Sequence, residues 1–232
     1  MNDNIRDIIR KISICDADEK RKLFDHLREN ISFHKLEQEF GIRAERILDA
    51  ISRGSDLTKR GVRGVIAETV FATEIAPNTP GWSAYDPAGD EAYDVLMVQG
   101  LHQIRVQVKM QRRERGVPLM RSPLRGGQKD HFVVEVQRTR NGRSGEGVST
   151  RPYSFSEFDV LAVCMEPSER QWHSFLYIPT YALQSRPFAP SLIAIMQLVP
   201  QFPALYSSNW TADLSVALNG VIDMRKKSSG IF

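Results

Sequence analysis

Several things are scarce in this sequence. Its 232 residues include only two cysteines, Cys15 and Cys164. That is too few for a disulfide framework or a cysteine zinc site, and it fits a reducing, cytoplasmic compartment. Cys164 lies in an apolar run and reads as core. The longest apolar stretch, near Leu192 to Val199, falls far short of a bilayer span. The polar N-terminus lacks the basic-then-apolar pattern of a secretory signal. The five histidines, His26, His34, His102, His131 and His173, show no pairing at metal-ligand spacing. There is no P-loop, no dinucleotide fingerprint and no serine nucleophile elbow, so nothing calls for a small-molecule cofactor. No internal repeat or low-complexity tract interrupts an ordinary globular composition.

Charge is present, and it is unevenly spread. The net charge is only +3, yet Arg105 to Arg151 holds twelve Lys and Arg against four acids, leaving nineteen bases against twenty-four acids elsewhere. A basic segment in an otherwise acidic chain suggests a polyanion bound on one face; a solvated basic loop is the plainer reading.

The hydrophobic pattern changes along the chain. Residues 1–54 read as a helical region: Ile5, Ile8, Ile9 and Ile12 recur at helical spacing, and Leu23, Phe24, Leu27 and Ile31 follow an acidic start at Asp16 and Asp18. Leu36 and Phe40, then Gly41, then Ala44, Ile47, Leu48 and Ile51 form a helix–Gly–helix pattern, read as an ordinary helical hairpin ahead of a helix-turn-helix. Residues 55–232 read as one further domain. Ser55 or Asp56 can cap a helix running to about Glu74, with Val62, Val65, Ile66, Thr69 and Val70 on its apolar face. Gly61, Gly64 and Glu68 fall on another face, where two glycines would let a neighbouring backbone approach Glu68. Strands are predicted at 93–98, 101–110, 131–138, 158–165 and 172–178, with a short helix near 213–218. The almost continuous apolar run from Phe158 to Met165 suits a strand buried on both faces. The sum is an α/β fold, a central mixed β-sheet flanked by helices, with an N-terminal helical region.

The chemistry is concentrated in the hairpin from Tyr93 to Met110. Ile104, Val106, Val108 and Met110 alternate with Arg105, Gln107 and Lys109, so Gln107 and Lys109 share one face of a strand. Asp94 opens the preceding strand, and a hairpin brings it beside Gln107. An acid, a second oxygen and an ammonium at one sheet end suit phosphodiester hydrolysis. The oxygens hold a hard cation, best Mg2+, and the backbone carbonyl of Val108 can add another ligand. Lys109 can orient the attacking water or neutralise charge on the phosphorane. Asp90 or Glu91 could serve in place of Asp94, and Gln107 and Lys109 could be the wet face of an edge strand. Asp159 reads as a structural acid.

An acid, a short connection and then Gln107-Val108-Lys109 on a strand resembles the PD-(D/E)XK nuclease motif, with Gln107 in the place of the usual acid and Tyr93 in the place of the proline. The resemblance covers roughly Gly61 to Gln111. The run Gln107-Val108-Lys109-Met110-Gln111-Arg112, and later Thr150-Arg151-Pro152-Tyr153 with Phe158 to Val163, is similar to type II restriction enzymes. It implies a restriction-endonuclease-like core and Mg2+-dependent, sequence-specific cleavage of double-stranded DNA, carried out by a homodimer. Glu68 matches the upstream helical acid that often joins such sites, and would make up for the charge Gln107 lacks. Arg112, Arg113, Arg115, Arg121, Arg125 and Lys129, then Arg138, Arg140, Arg143 and Arg151, are the candidate DNA contacts. The alternatives are a structure-selective repair or junction-resolving nuclease, and a non-catalytic DNA-binding regulator.

Overall fold

The computed structural model describes residues 2–31, 34–138, 152–203, 208–228 and 230. The chain divides into two compact units, Met1–Arg60 and Gly61–Phe232. The division falls inside the helix that begins at Asp56, whereas the sequence pattern placed it at the turn before that helix.

The first unit is helical: α1 (Asp3–Ile14), α2 (Ala17–Asn30), α3 (Lys35–Phe40) and α4 (Ala44–Arg53). Asp16 caps α2 through a reciprocal capping box with Glu19, as the acidic start implied. Gly41 ends α3 in the left-handed region (φ 64°), which glycine adopts without steric cost. The α3–α4 hairpin is fastened by a residue the hydrophobic pattern could not pick out. Arg28, buried on α2, donates to both oxygens of Glu37 and to Glu45 at 2.9 and 2.7 Å. Glu37 in turn accepts from the Ala44 backbone at 2.7 Å. α1 buries none of its residues, and Ile5, Ile8 and Ile9 are exposed while Ile12 is half-buried.

The second unit takes in the body of α5 (Asp56–Val70), whose start is capped by Ser55. The helix continues as a π turn over Phe71–Ile75 and a 3-10 turn over Ala76–Asn78. Its buried side chains are Ala67, Val70, Phe71 and Ala76, while Val65 and Ile66 are exposed. The apolar face expected around those two β-branched residues is therefore displaced, because the helix meets the sheet only through its last turns. A Cβ on Gly61 or Gly64 would meet nothing within 4 Å, so neither glycine serves the close approach expected of it.

The central sheet contains β1 (Ser83–Tyr85), β2 (Val95–Gln99), β3 (His102–Met110), β8 (Val160–Cys164) and β9 (Phe175–Pro179), in that spatial order. The pairs β1–β2, β2–β3 and β8–β9 are antiparallel and β3–β8 is parallel, so the sheet is mixed. Between β3 and β8 lie a small hairpin, β4 (Arg113–Glu114) with β5 (Val117–Pro118), and then β6 (Met120–Arg121) and β7 (His131–Glu135). After β8 come a short α6 (Glu166–Glu169), then β9, the pair β10 (Ser185–Arg186) and β11 (Ala189–Ile193), β12 (Met196–Pro200) and α7 (Leu214–Ser228). A second sheet, ordered β12–β7–β6, forms on its own.

Two cores sandwich the main sheet. On one face, Val95, Met97, Ile104, Val106, Val108, Val160, Ala162 and Cys164 pack with the end of α5 and with Leu214, Leu218, Val221 and Ile222 of α7. On the other, Leu161, Val163 and Ile178 meet Phe132, Val134 and Val199 of the second sheet, with Tyr153 and Phe158. All five residues of β8 are buried, as its continuous apolar run predicted. α7 is far longer than the predicted helix; its charged end (Asp223 to Lys227) masks the period in sequence, and a Cβ on Gly220 would stand 3.7 Å from Pro179. Among the described residues, no helix is long and apolar enough to cross a membrane.

Asp159, just before β8, ties α7 to this sheet. It accepts from the Arg105 backbone at 2.9 Å, from the Arg105 guanidinium at 3.0 and 3.1 Å, and from Arg225 of α7 at 2.8 Å. These donors hold its carboxyl below the usual aspartate range against the opposing effect of burial. Asp159→Asn is expected to cost roughly 2–3 kcal/mol in denaturant unfolding at neutral pH, after discounting for the partly exposed arginines. A carboxyl with a depressed folded pKa stabilises above its unfolded pKa and loses that contribution as pH falls through the folded one. The gap between Asp159→Asn and the parent should therefore close in acid; a gap that is constant with pH would remove the ion pair as its cause.

Candidate active site

Two short-range features build the site. Gly100 (φ 56°) and Leu101 turn β2 into β3, pairing Val95 with Val106. That register puts Asp94 just before β2, with its N–H on the Val106 carbonyl at 2.9 Å. Alternation along β3 then sends Val106 and Val108 into the helical core and Gln107 and Lys109 to the opposite face. That face is not wet: Gln107 is 3% exposed, covered from the side of the second core.

Asp94 is locked by the strand beside it. Its Oδ2 accepts from the Val108 N–H at 2.7 Å and from Gln107 Nε2 at 2.5 Å. Gln107 Nε2 also donates to the Val108 carbonyl at 3.1 Å. Two oxygens, one carboxylate and one carbonyl, thus converge on a single amide nitrogen. The opposite amide orientation would set Oε1 against two acceptors, so these partners fix it. Asp90 and Glu91 line the same cleft of about 330 Å3 as Glu68 and Asp94, and Asp94 is the one seen bonded to β3 among the described residues.

The charges in the cleft sense one another. Burial pushes the Asp94 carboxyl up, opposed by Lys109 and by the Val108 and Gln107 donors. Glu68 on α5 is likewise pushed up by burial and then by Asp94, and lowered by Lys109. Burial pushes the Lys109 ammonium down, against the pull of Asp94 and Glu68. Mutual perturbation of buried ionisable groups at a cleft makes this place the candidate functional site. Neither Glu68 nor Lys109 makes a hydrogen bond or ion pair among the described residues, which leaves both groups available to a ligand.

The structure thus brings Glu68, Asp94, Gln107 and Lys109 together. Among the described residues, no group of three or more His, Cys, Asp or Glu is placed to hold a metal. The oxygens that could hold one are of another kind: Asp94, the Val108 carbonyl, Glu68 at the cleft wall, and an amide oxygen from Gln107 if that group turns. Those are all hard oxygens, which fit Mg2+ and do not fit a soft metal.

The basic residues fall into three groups. Arg112 and Arg138 are ion-paired, with Glu135 and Glu157 respectively. Arg113 is half-buried, whereas Arg115, Arg121, Arg125 and Lys129 are exposed; none of these five has an ion pair among the described residues. Arg140, Arg143 and Arg151 lie outside the described residues.

Two further residues lie beside the site. Gln111, two places beyond Lys109, is 2% exposed, and neither of its amide atoms is hydrogen-bonded among the described residues; its signal is the recurrence of polar residues at 107, 109 and 111. Tyr153 lies against Lys109, 44 positions away in sequence, and only its place in a restriction-enzyme-like stretch hinted at it.

Among solved structures, the chain is similar to a bacterial homing endonuclease, at 23% identity and a TM-score of 0.32, over 54% of this chain and 70% of that one. No family model matches the sequence. No curated protein matches it either.

Proposed function

We propose that the chain is a divalent-metal-dependent endonuclease that hydrolyses phosphodiester bonds in double-stranded DNA. Within that class, we propose a site-specific enzyme of the type II restriction kind, active as a homodimer. The observation that carries the reading is the convergence of Asp94 Oδ2 and the Val108 carbonyl on one point, beside a lysine ammonium with no acceptor among the described residues.

Asp94, the Val108 carbonyl, Glu68 and a turned Gln107 amide would hold Mg2+. When bound, the ion polarises the phosphate and lowers the pKa of water. Lys109 directs its N–H groups at the attacking water or at the phosphate oxygens, where negative charge grows in the transition state. Asp94 stays fixed during this step, because the Val108 N–H holds it from behind. Digesting a long DNA with Mg2+ and sequencing the ends tests the proposal. Discrete fragments support site-specific cleavage, a smear supports cleavage without site choice, and intact DNA overturns the nuclease reading.

The exposed cations beyond β3 supply the expected phosphate contacts. Replacing Arg115, Arg125 and Lys129 together by alanine should weaken DNA binding and flatten the log–log salt slope by about 2–3. Replacing Arg6, Arg10 and Lys11 of α1 should leave that slope unchanged. Equal effects of the two triples would remove the case for a DNA-facing basic segment.

A further inference from the structure

Lys109 poses a question that its strand does not answer. Its ammonium sits in a half-buried place without a hydrogen-bonding or ionic partner among the described residues, and a flexible four-carbon stem does not aim itself. What lies against it is an aromatic ring. Lys109 Nζ stands over Tyr153, 5.7 Å from the ring centroid.

That ring is held on several sides. Tyr153 is 4% exposed and meets Phe158 edge-on, with centroids 5.3 Å apart and planes at 87°. Its carbonyl accepts from the Ile193 N–H at 2.8 Å. The Arg138 guanidinium also stands over the ring, 5.1 Å from its centroid, and is fixed by Glu157, whose other oxygen accepts from the Ser154 N–H at 2.6 Å. Glu157 balances the Arg138 charge, so the ring is braced without a second free cation beside Lys109.

We propose that Tyr153 is the positioning residue for Lys109, aiming the ammonium through the face of its ring; this rests on the role proposed above for Lys109. A carboxylate partner would also fix an ammonium, but it would engage a donor and neutralise the charge. A ring face attracts the cation through its quadrupole and leaves the N–H groups free for anionic oxygens. The phenol hydroxyl makes no hydrogen bond among the described residues, so the ring acts without it. Arg138 accordingly serves the site by bracing Tyr153.

The test compares Tyr153→Phe with Tyr153→Leu in the full chain, with Tyr153→Met as a second ringless variant should leucine fail to fold. Phenylalanine should leave the single-turnover cleavage rate within about threefold of the parent. The ringless variants should lose on the order of tenfold in that rate, with DNA affinity unchanged. A readout independent of cleavage is the NMR shift of the Lys109 ε-methylene, displaced by the ring current in the parent and in Tyr153→Phe and normal in the ringless variants. Ringless variants with the parent's shift or the parent's rate would overturn the proposal. If the parent itself does not cleave DNA, the nuclease reading fails, while the shift still decides whether Tyr153 holds Lys109.

Discussion

Lys109→Ala should lower the single-turnover rate of DNA cleavage by about 10²- to 10³-fold while leaving DNA affinity within a few-fold of the parent. The split follows from where the ammonium sits. Lys109 lies beside Asp94 and Glu68, whose charges oppose the effect of burial on it, and not among the exposed cations beyond β3 that are expected to carry phosphate affinity. Removing it withdraws charge where the transition state gains it and removes one cation among many from the binding surface. Asp94→Asn should be equally inactive for a different reason. The amide can still accept from the Val108 N–H, so the hairpin survives, but a carboxylate ligand is lost. Filter or anisotropy binding beside quench-flow cleavage checks both. A Lys109→Ala protein that cleaves within tenfold of the parent would take Lys109 out of the chemistry. One that loses binding and cleavage equally would move it to the DNA surface.

The hairpin to which this chemistry is assigned is legible in sequence because it is local. Period-two alternation from Ile104 to Met110 fixes the faces of β3, and a tight turn fixes the register, so Asp94 meets Gln107 without help from the rest of the fold. β8 was legible for the opposite reason: a strand buried on both faces has no alternation to misread. The pattern failed where tertiary contact overrides local preference. Val65 and Ile66 look like core on α5, yet the sheet is reached through Ala67, Val70 and Phe71. α7 hides its period behind a basic end, and Arg28 looks like any surface arginine although two glutamates bury it. Tyr153 illustrates the general limit. Its contact with Lys109 crosses a second sheet and a long connection, and nothing in the residues flanking it records that meeting.

The second large effect concerns the charge that Gln107 leaves out. The Gln107 amide N–H groups face Asp94 and the Val108 carbonyl, the two oxygens proposed above to hold the cation. Gln107→Glu would replace those donors with a carboxylate aimed at a carboxylate and a carbonyl, both buried. Without metal, such a like-charge contact should cost roughly 1–3 kcal/mol, which in a chain of this size lowers the melting temperature by about 2–10 °C in EDTA. Mg2+ or Ca2+ should restore more stability to Gln107→Glu than to the parent, because a ligand that binds only the folded state stabilises in proportion to its affinity. Cleavage by this variant should then need less Mg2+. Glu68→Gln tests the other half. Glu68 feels both Asp94 and Lys109 and has no protein partner among the described residues, so its charge is available to the ion. Losing it leaves Asp94 as the only carboxylate on the metal, and the Mg2+ needed for half-maximal cleavage should rise about tenfold with the fold intact. A titration of melting temperature and cleavage rate against Mg2+ on the two variants separates the outcomes. Should Gln107→Glu melt with the parent in EDTA, its amide does not stand in the cation's place. An unchanged Mg2+ requirement in Glu68→Gln would return Glu68 to the helix surface, leaving Asp94 and neutral oxygens to hold the ion alone.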